Sequence, residues 1–281
     1  MARTSVMARA GVMARAGGLA RLGTRLLRAA CIVTAACIAI ALAFSTSGSA
    51  LAAPGSLEGA VIAIDPGHQL GNSNPRFAKQ MAQTKFNGTI VKGCNTSGTA
   101  TNAGFPEATF NWRVAKRLKA ALEAQGATVV MTRKVNSRDA WGPCVWDRGG
   151  FGAAAGADLM VSIHADGAPS GERGFHVIAP GRIKGWTDDI APASRQLARD
   201  MIQAMKEQGA QPATYLSSPL SVRTDQSTLN FADVPTVIVE LGNMRNRSDA
   251  RQMSSSSGQQ AYAEQLAAGI IRYCAVRSRC R

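Results

Sequence analysis

Two histidines and a glutamate stand where apolar runs of this chain stop. Val61-Ile62-Ala63-Ile64 is β-branched and apolar, and it runs into Asp65-Pro66-Gly67 with His68 just beyond. That pattern reads as a buried strand delivering an imidazole to the rim of a sheet, where open α/β folds place their ligands. Asp158-Leu159-Met160-Val161-Ser162-Ile163-His164-Ala165-Asp166 repeats the design. The chain has three histidines, and two of them occupy equivalent strand ends. The third, His176 in Gly174-Phe175-His176-Val177-Ile178, reads as an ordinary strand residue.

Two carboxylates complete the set. Glu240 ends the run Pro235-Thr236-Val237-Ile238-Val239, a costly place for a charge unless it is paired, protonated or close to a metal. An exposed strand end, or pairing with an arginine such as Arg148, would equally satisfy it. Glu107 follows Pro106 at the start of a helical pattern, where an acid also favours the helix dipole. Two neutral imidazoles and one carboxylate hold zinc in a catalytic site with one position open, and a second, unligated carboxylate then serves as general base.

The elements that must position these residues alternate. After the first strand comes a long Gly-, Asn-, Thr- and Ser-rich segment, Gln69 to Phe105, of a length that is usually functional or disordered. Pro106 opens a helix to about Gln125 with a stripe of Phe110, Val114, Leu118 and Leu122, stopped by Gly126. Strands are predicted over Thr128–Arg133, Asp158–His164, Gly174–Ala179 and Pro235–Gly242. Helices are predicted over Asp147–Ala155, Ala193–Gln208 and Gly258–Tyr273, and Tyr215–Val222 adds strand structure near an edge. This predicts a single α/β domain with a mainly parallel, twisted β-sheet and helices on both faces. No internal repeat and no linker to an appended module is found.

The ends and composition bound the setting. Residues 1–52 carry six arginines, no lysine and no acid, then the apolar run Ala29–Phe44 and Ala50-Leu51-Ala52. That is the pattern of a secretory signal peptide, leaving residues 53–281 as the exported domain with no stable membrane anchor. The apolar run of 16 residues falls short of the roughly 20 that a span needs. Without those six arginines, 26 basic residues face 18 acidic ones, a net charge of +8 suited to an anionic wall or membrane surface. No basic run interleaved with aromatics appears, which argues against nucleic acid. Four cysteines remain beyond the leader, Cys94, Cys144, Cys274 and Cys280, with three possible connectivities. Cys94–Cys144 with Cys274–Cys280 is favoured, because the first two lie in loops near one sheet edge and the others close a short tail.

Taken in order, Ile64-Asp65-Pro66-Gly67-His68, Glu107 with Asn111, Ser162-Ile163-His164-Ala165-Asp166 and Val239-Glu240-Leu241-Gly242-Asn243 resemble the zinc N-acetylmuramoyl-L-alanine amidases of the Amidase_3 type. The resemblance runs from about Gly59 to Tyr273. It implies that His68, Glu107 and His164 bind Zn2+, that Glu240 is the catalytic acid/base and that Arg148 partners a site carboxylate. It also implies cleavage of the amide between N-acetylmuramic acid and L-alanine in peptidoglycan or muropeptides, by a monomer in the periplasm or cell-wall space. The chain departs from the pattern in the cysteine-bearing loop after His68 and in Asn243, where phenylalanine is common. Neither an inhibitory helix nor a wall-binding domain is found. The competing readings are another zinc peptidoglycan hydrolase, such as a peptidase, and a non-catalytic zinc-dependent wall-binding or regulatory protein.

Overall fold

A computed structural model describes residues 55–276 and Cys280; the signal peptide read at 1–52 lies outside the described residues. In chain order the strands and helices are β1 (Val61–Pro66), α1 (Ala78–Met81), β2 (Thr84–Phe86), β3 (Val91–Gly93), α2 (Glu107–Glu123) and β4 (Thr128–Met131). Next come α3 (Val145–Ala154), β5 (Leu159–Asp166), β6 (His176–Pro180), α4 (Ala191–Glu207) and β7 (Leu220–Arg223). The chain ends with α5 (Ser227–Asn230), β8 (Thr236–Asn243), α6 (Arg247–Ser254) and α7 (Ser256–Cys274). No helix among the described residues is long and apolar enough to cross a membrane.

The main sheet has the order β4-β1-β5-β8-β6-β7. β4, β1, β5 and β8 pair in parallel, whereas β6 joins β8 antiparallel and carries β7 parallel to itself. The sheet is therefore mainly parallel, as the alternating strands and helices predict, with one antiparallel junction that the sequence pattern does not signal.

Alternation along the strands gives the two faces different tasks. Ile62, Ile64, Val161, Ile163, Val237 and Val239 point to one face and pack on Phe110, Val114 and Leu118 of α2, Leu197 and Met201 of α4, and Leu266 and Ile270 of α7. This is the large core, and the period-four stripe of α2 is fully excluded from solvent. On the other face Ala63 and Met160 meet Phe151 of α3, and Ile178 and Ile238 meet Leu229 of α5. Helix α3 forms despite its glycines because it lies against the α5 segment: a Cβ at Gly149 would sit 2.7 Å from Phe231 and from the Thr228 carbonyl.

The segment Gln69–Phe105 is ordered into short turns, α1 and the β2–β3 hairpin. The hairpin has no apolar alternation to betray it, since Phe86 and Val91 are 52% and 64% exposed. Cys94 at its exit is bonded to Cys144, which immediately precedes α3, and Cys274 is bonded to Cys280, both as the sequence favours. The first bridge spans a sequence separation of 50 and the second of 6. Loop entropy predicts losses of about 4 and about 2 kcal/mol on removing each. Urea unfolding of C94A/C144A and C274A/C280A checks this, with the first pair the more destabilising.

Candidate active site

The chain leaves the sheet at Pro66, and His68 follows with φ +60°, the one non-glycine residue at positive φ among those described. Arginines hold this turn. Arg148 of α3 is buried at 2% exposure; its Nη1 donates to Asp65 Oδ1 at 2.6 Å and to the Pro66 carbonyl at 3.0 Å. Its Nη2 donates to the His68 carbonyl at 2.9 Å, and its Nε to the Pro143 carbonyl at 3.0 Å. Arg133 adds Nε to the Pro66 carbonyl at 2.9 Å and Nη2 to the Ala108 carbonyl at 2.7 Å. The carboxylate that Arg148 takes is thus Asp65, beneath the site, rather than Glu107 or Glu240. Burial alone would raise Asp65, but the Arg148 charge with the Ser162 and Thr132 hydroxyls outweighs it and holds the carboxyl at about 2.

Above this base three side chains converge. His68, Glu107 and His164 each offer a ligand atom, all within 4.8 Å of one another. Glu107 Oε1 lies 3.2 Å from His68 Nε2 and 3.0 Å from His164 Nδ1, and the two rings meet edge to face with centroids 4.8 Å apart. Glu107 is placed by helix α2, of which it is the first residue. Its Oε2 accepts from the Thr99 amide at 2.8 Å and its Oε1 from the Ala165 amide at 3.2 Å. His68 Nδ1 faces the Thr96 carbonyl at 3.0 Å. A carbonyl only accepts, so Nδ1 carries a proton and Nε2 is the nitrogen turned to the carboxylate.

That arrangement is chemically incomplete without a cation. Glu107 is 3% exposed, and its ionic contacts are the two imidazoles alone. Burial would push it up, yet the imidazoles and their hydrogen bonds carry it well below the usual carboxylate range. Burial would likewise lower His68, while Glu107 raises it. Two imidazole nitrogens and a carboxylate oxygen facing one another are the donors that a metal ion takes. The loop backbone leaves little room around them: a Cβ at Gly98, itself at φ +79°, would lie 2.7 Å from Glu107 Oε2 and 2.8 Å from His68. The residues present therefore fit a small divalent cation.

Glu240 is brought to the same cavity, of about 450 Å3, which Asp166, Lys92 and Asp225 also line. Its Oε2 is buried without a partner. Burial first, then the charges of Asp166 and Glu107, raise it well above the usual carboxylate value, so it holds a proton more tightly than an ordinary carboxyl does. Sequence reasoning missed Asp166 as a cavity residue and Asp65 as the partner of Arg148. Each carried a signal: Asp65 is a charge at the end of an apolar strand, and Asp166 stands two residues past His164.

Known proteins resemble the chain over this whole region. The family model described as N-acetylmuramoyl-L-alanine amidase, Amidase_3, matches residues 62–272. The N-acetylmuramoyl-L-alanine amidase Rv3717 of Mycobacterium tuberculosis is 38% identical over 247 residues, covering 86% of this chain and 98% of that protein. The crystal structure of the N-acetylmuramyl-L-alanine amidase Ami1 from Mycobacterium smegmatis is similar with a TM-score of 0.71 at 35% identity, over 77% of this chain and 97% of that one. The apo form of Ami1 from Mycobacterium abscessus gives a TM-score of 0.71 at 34% identity, over 77% and 99% of the two chains.

Two measurements test this geometry. Asp65, held at about 2, stabilises the fold fully above its ordinary value near 3.8, and that contribution is lost as pH falls from about 4 towards 2. Arg148→Ala leaves the carboxylate buried and unpaired, so it should cost roughly 3–5 kcal/mol at pH 7 in chemical unfolding. The deficit relative to wild type should shrink below pH 4. Gly98→Ala should lower the affinity for a divalent cation, probed with Zn2+, by at least about tenfold in a competition titration, with little loss of secondary structure by circular dichroism.

Proposed function

The chain belongs to the Amidase_3 family of N-acetylmuramoyl-L-alanine amidases, and from that membership we propose how its own residues carry out the reaction. It is a peptidoglycan amidase, hydrolysing the amide between N-acetylmuramic acid and L-alanine of the stem peptide. His68, Glu107 and His164 would hold a zinc ion. Bound there, zinc would polarise the scissile carbonyl and make an attacking water more acidic.

The remaining work falls to protein groups. Glu240 takes the proton of the water at its free Oε2 and passes it to the nitrogen of the departing L-alanine. The raised proton affinity of Glu240 serves both steps, since a carboxyl of ordinary acidity would hold the proton too weakly to deliver it at neutral pH. His68 is kept in one tautomer and one orientation by Thr96, and Glu107 by the Thr99 and Ala165 amides, so the ligand set is preorganised. The observation that carries the reading is the placement of Glu240 beside His164 in paired strands, where it lines the cavity and keeps one buried carboxyl oxygen without a hydrogen bond among the described residues.

The enzyme acts outside the cytoplasm as a monomer, released from its leader at residues 1–52. Both disulfides support an oxidising setting. Incubating residues 53–281, loaded with zinc, with a muramoyl-pentapeptide should yield the sugar and an intact peptide with a free L-alanine amine, identified by mass spectrometry. Glu240→Gln should reduce kcat by roughly 10²–10⁴-fold while retaining zinc at wild-type stoichiometry. Cuts within the peptide would overturn the assignment.

A further inference from the structure

His176 has no task in the reaction as described, yet it stands next to the base. In the register of the sheet, Glu240 of β8 pairs with His164 of β5 on one side and with His176 of β6 on the other. His164, Glu240 and His176 thus form one row across three neighbouring strands. Ile178, two residues after His176, packs against Ile238, two residues before Glu240, so both members of the pair face the same side of the sheet.

His176 is also built in. It is 6% exposed, and its Nε2 lies 2.8 Å from Asp166 Oδ2, which accepts the Tyr215 hydroxyl at 2.6 Å as well. The Tyr215 ring meets the imidazole edge to face with centroids 6.0 Å apart. A carboxylate only accepts, so Nε2 carries a proton towards Asp166, and in the tautomer with its one proton there Nδ1 is an acceptor. That Nδ1 is buried with no hydrogen-bond partner, and so is Glu240 Oε2. Two orphaned polar atoms therefore belong to directly paired residues, which is uncommon in a folded interior and calls for an explanation.

We propose that His176, fixed by Asp166 and Tyr215, is a positioning residue for Glu240, its Nδ1 receiving the Glu240 carboxyl once that group carries the proton taken from water. The inference rests on Glu240 being the base of the amidase reaction. No further group is consumed: the proton stays on Glu240 and is shared with Nδ1 as a hydrogen bond until it passes to the leaving nitrogen. The orphaned pair is then satisfied at the stage when Glu240 must neither swing away nor lose its proton to solvent. Asp166 and Tyr215 act at one remove, holding the ring through Nε2 and leaving Nδ1 uncommitted.

The contact can be read without turnover. With three histidines in the chain, the His176 ring nitrogens are separable in a 15N spectrum of the zinc-loaded protein, the other two belonging to the metal site. Glu240→Gln puts a permanent N–H donor on the residue paired with His176, so if Nδ1 receives it the Nδ1 resonance should move upfield relative to wild type. An unchanged resonance would overturn the proposal, whatever the enzyme cleaves. On the muramoyl-pentapeptide, His176→Phe should lower kcat roughly 10–100-fold with KM and zinc content unchanged. His176→Asn, which restores a polar atom near Nδ1, should recover part of the loss. Tyr215→Phe, which leaves the ring in place, should lower kcat in the same sense. Loss confined to KM, or a His176→Phe enzyme within twofold of wild type, would sink the positioning role. Absence of amide cleavage by wild type would instead refute the amidase reading and leave the 15N result to decide the contact.

Discussion

The buried ion pair between Arg148 and Asp65 is the interaction on which the site depends. Such a pair adds little net stability, because removing two charges from water costs about as much as their attraction returns. Its value here is geometric. Where β1 ends, the carbonyls of Pro66 and His68 turn out of the ladder and need donors, and His68 adopts a backbone conformation costing about 1–2 kcal/mol for a residue with a Cβ. A guanidinium has the planar array of donors to meet both carbonyls, the Asp65 carboxylate and the Pro143 carbonyl together. Lysine has the charge without that fork. The clamp converts an unfavourable turn into a fixed imidazole.

The second constraint is the register of the sheet. On the large-core face the strands are occupied by Ile, Val and Leu, and the polar side chains of the same strands stand on the other face near their C-terminal ends. Asp65 is opposite Ser162, and one step further His164, Glu240 and His176 align. Because side chains alternate with period two, a slip of one residue in β8 would turn Glu240 into the apolar core. The spacing between His164 and Glu240 is thus set by strand pairing, a rigid constraint. The irregularity between His164 and Asp166 then re-aims the last turn of β5, bringing Asp166 to Tyr215 and His176.

Much of this was legible in the sequence, for reasons that differ by element. The β5 and β8 runs, the α2 stripe and the His68 turn are long apolar patterns with abrupt polar stops, and their boundaries fall within about two residues of the expected ones. The convergence of His68, Glu107 and His164 was legible because two of them sit at those stops and the third opens the helix, and motif order linked them. The antiparallel insertion of β6 was not, because a strand of Val, Ile and Ala reads alike in either direction. For the same reason His176 passed as an ordinary strand residue: its importance comes from which strand lies beside it. The β2–β3 hairpin escaped because three-residue strands on an exposed surface have no buried face to impose a pattern.

The remaining wall of the site shows why a loop so long carries a covalent tie. Thr96 and Thr99 hold His68 and Glu107 through backbone atoms, so the loop must keep its main chain within tenths of an ångström, yet much of its surface is exposed and it has little core of its own. Packing cannot supply that precision there. Cys94 lies two residues before Thr96, and its bridge to Cys144 joins the loop to the start of the helix that carries Arg148. The Val145 amide donates to the Cys94 carbonyl at 2.7 Å, and the Asn95 side chain to the Pro143 carbonyl at 2.8 Å, reinforcing the same junction. Arg148 Nε reaches that Pro143 carbonyl too. The arginine that fixes the turn from below and the loop that orients the imidazole from above are therefore one connected body, closed by a bond that an oxidising environment maintains.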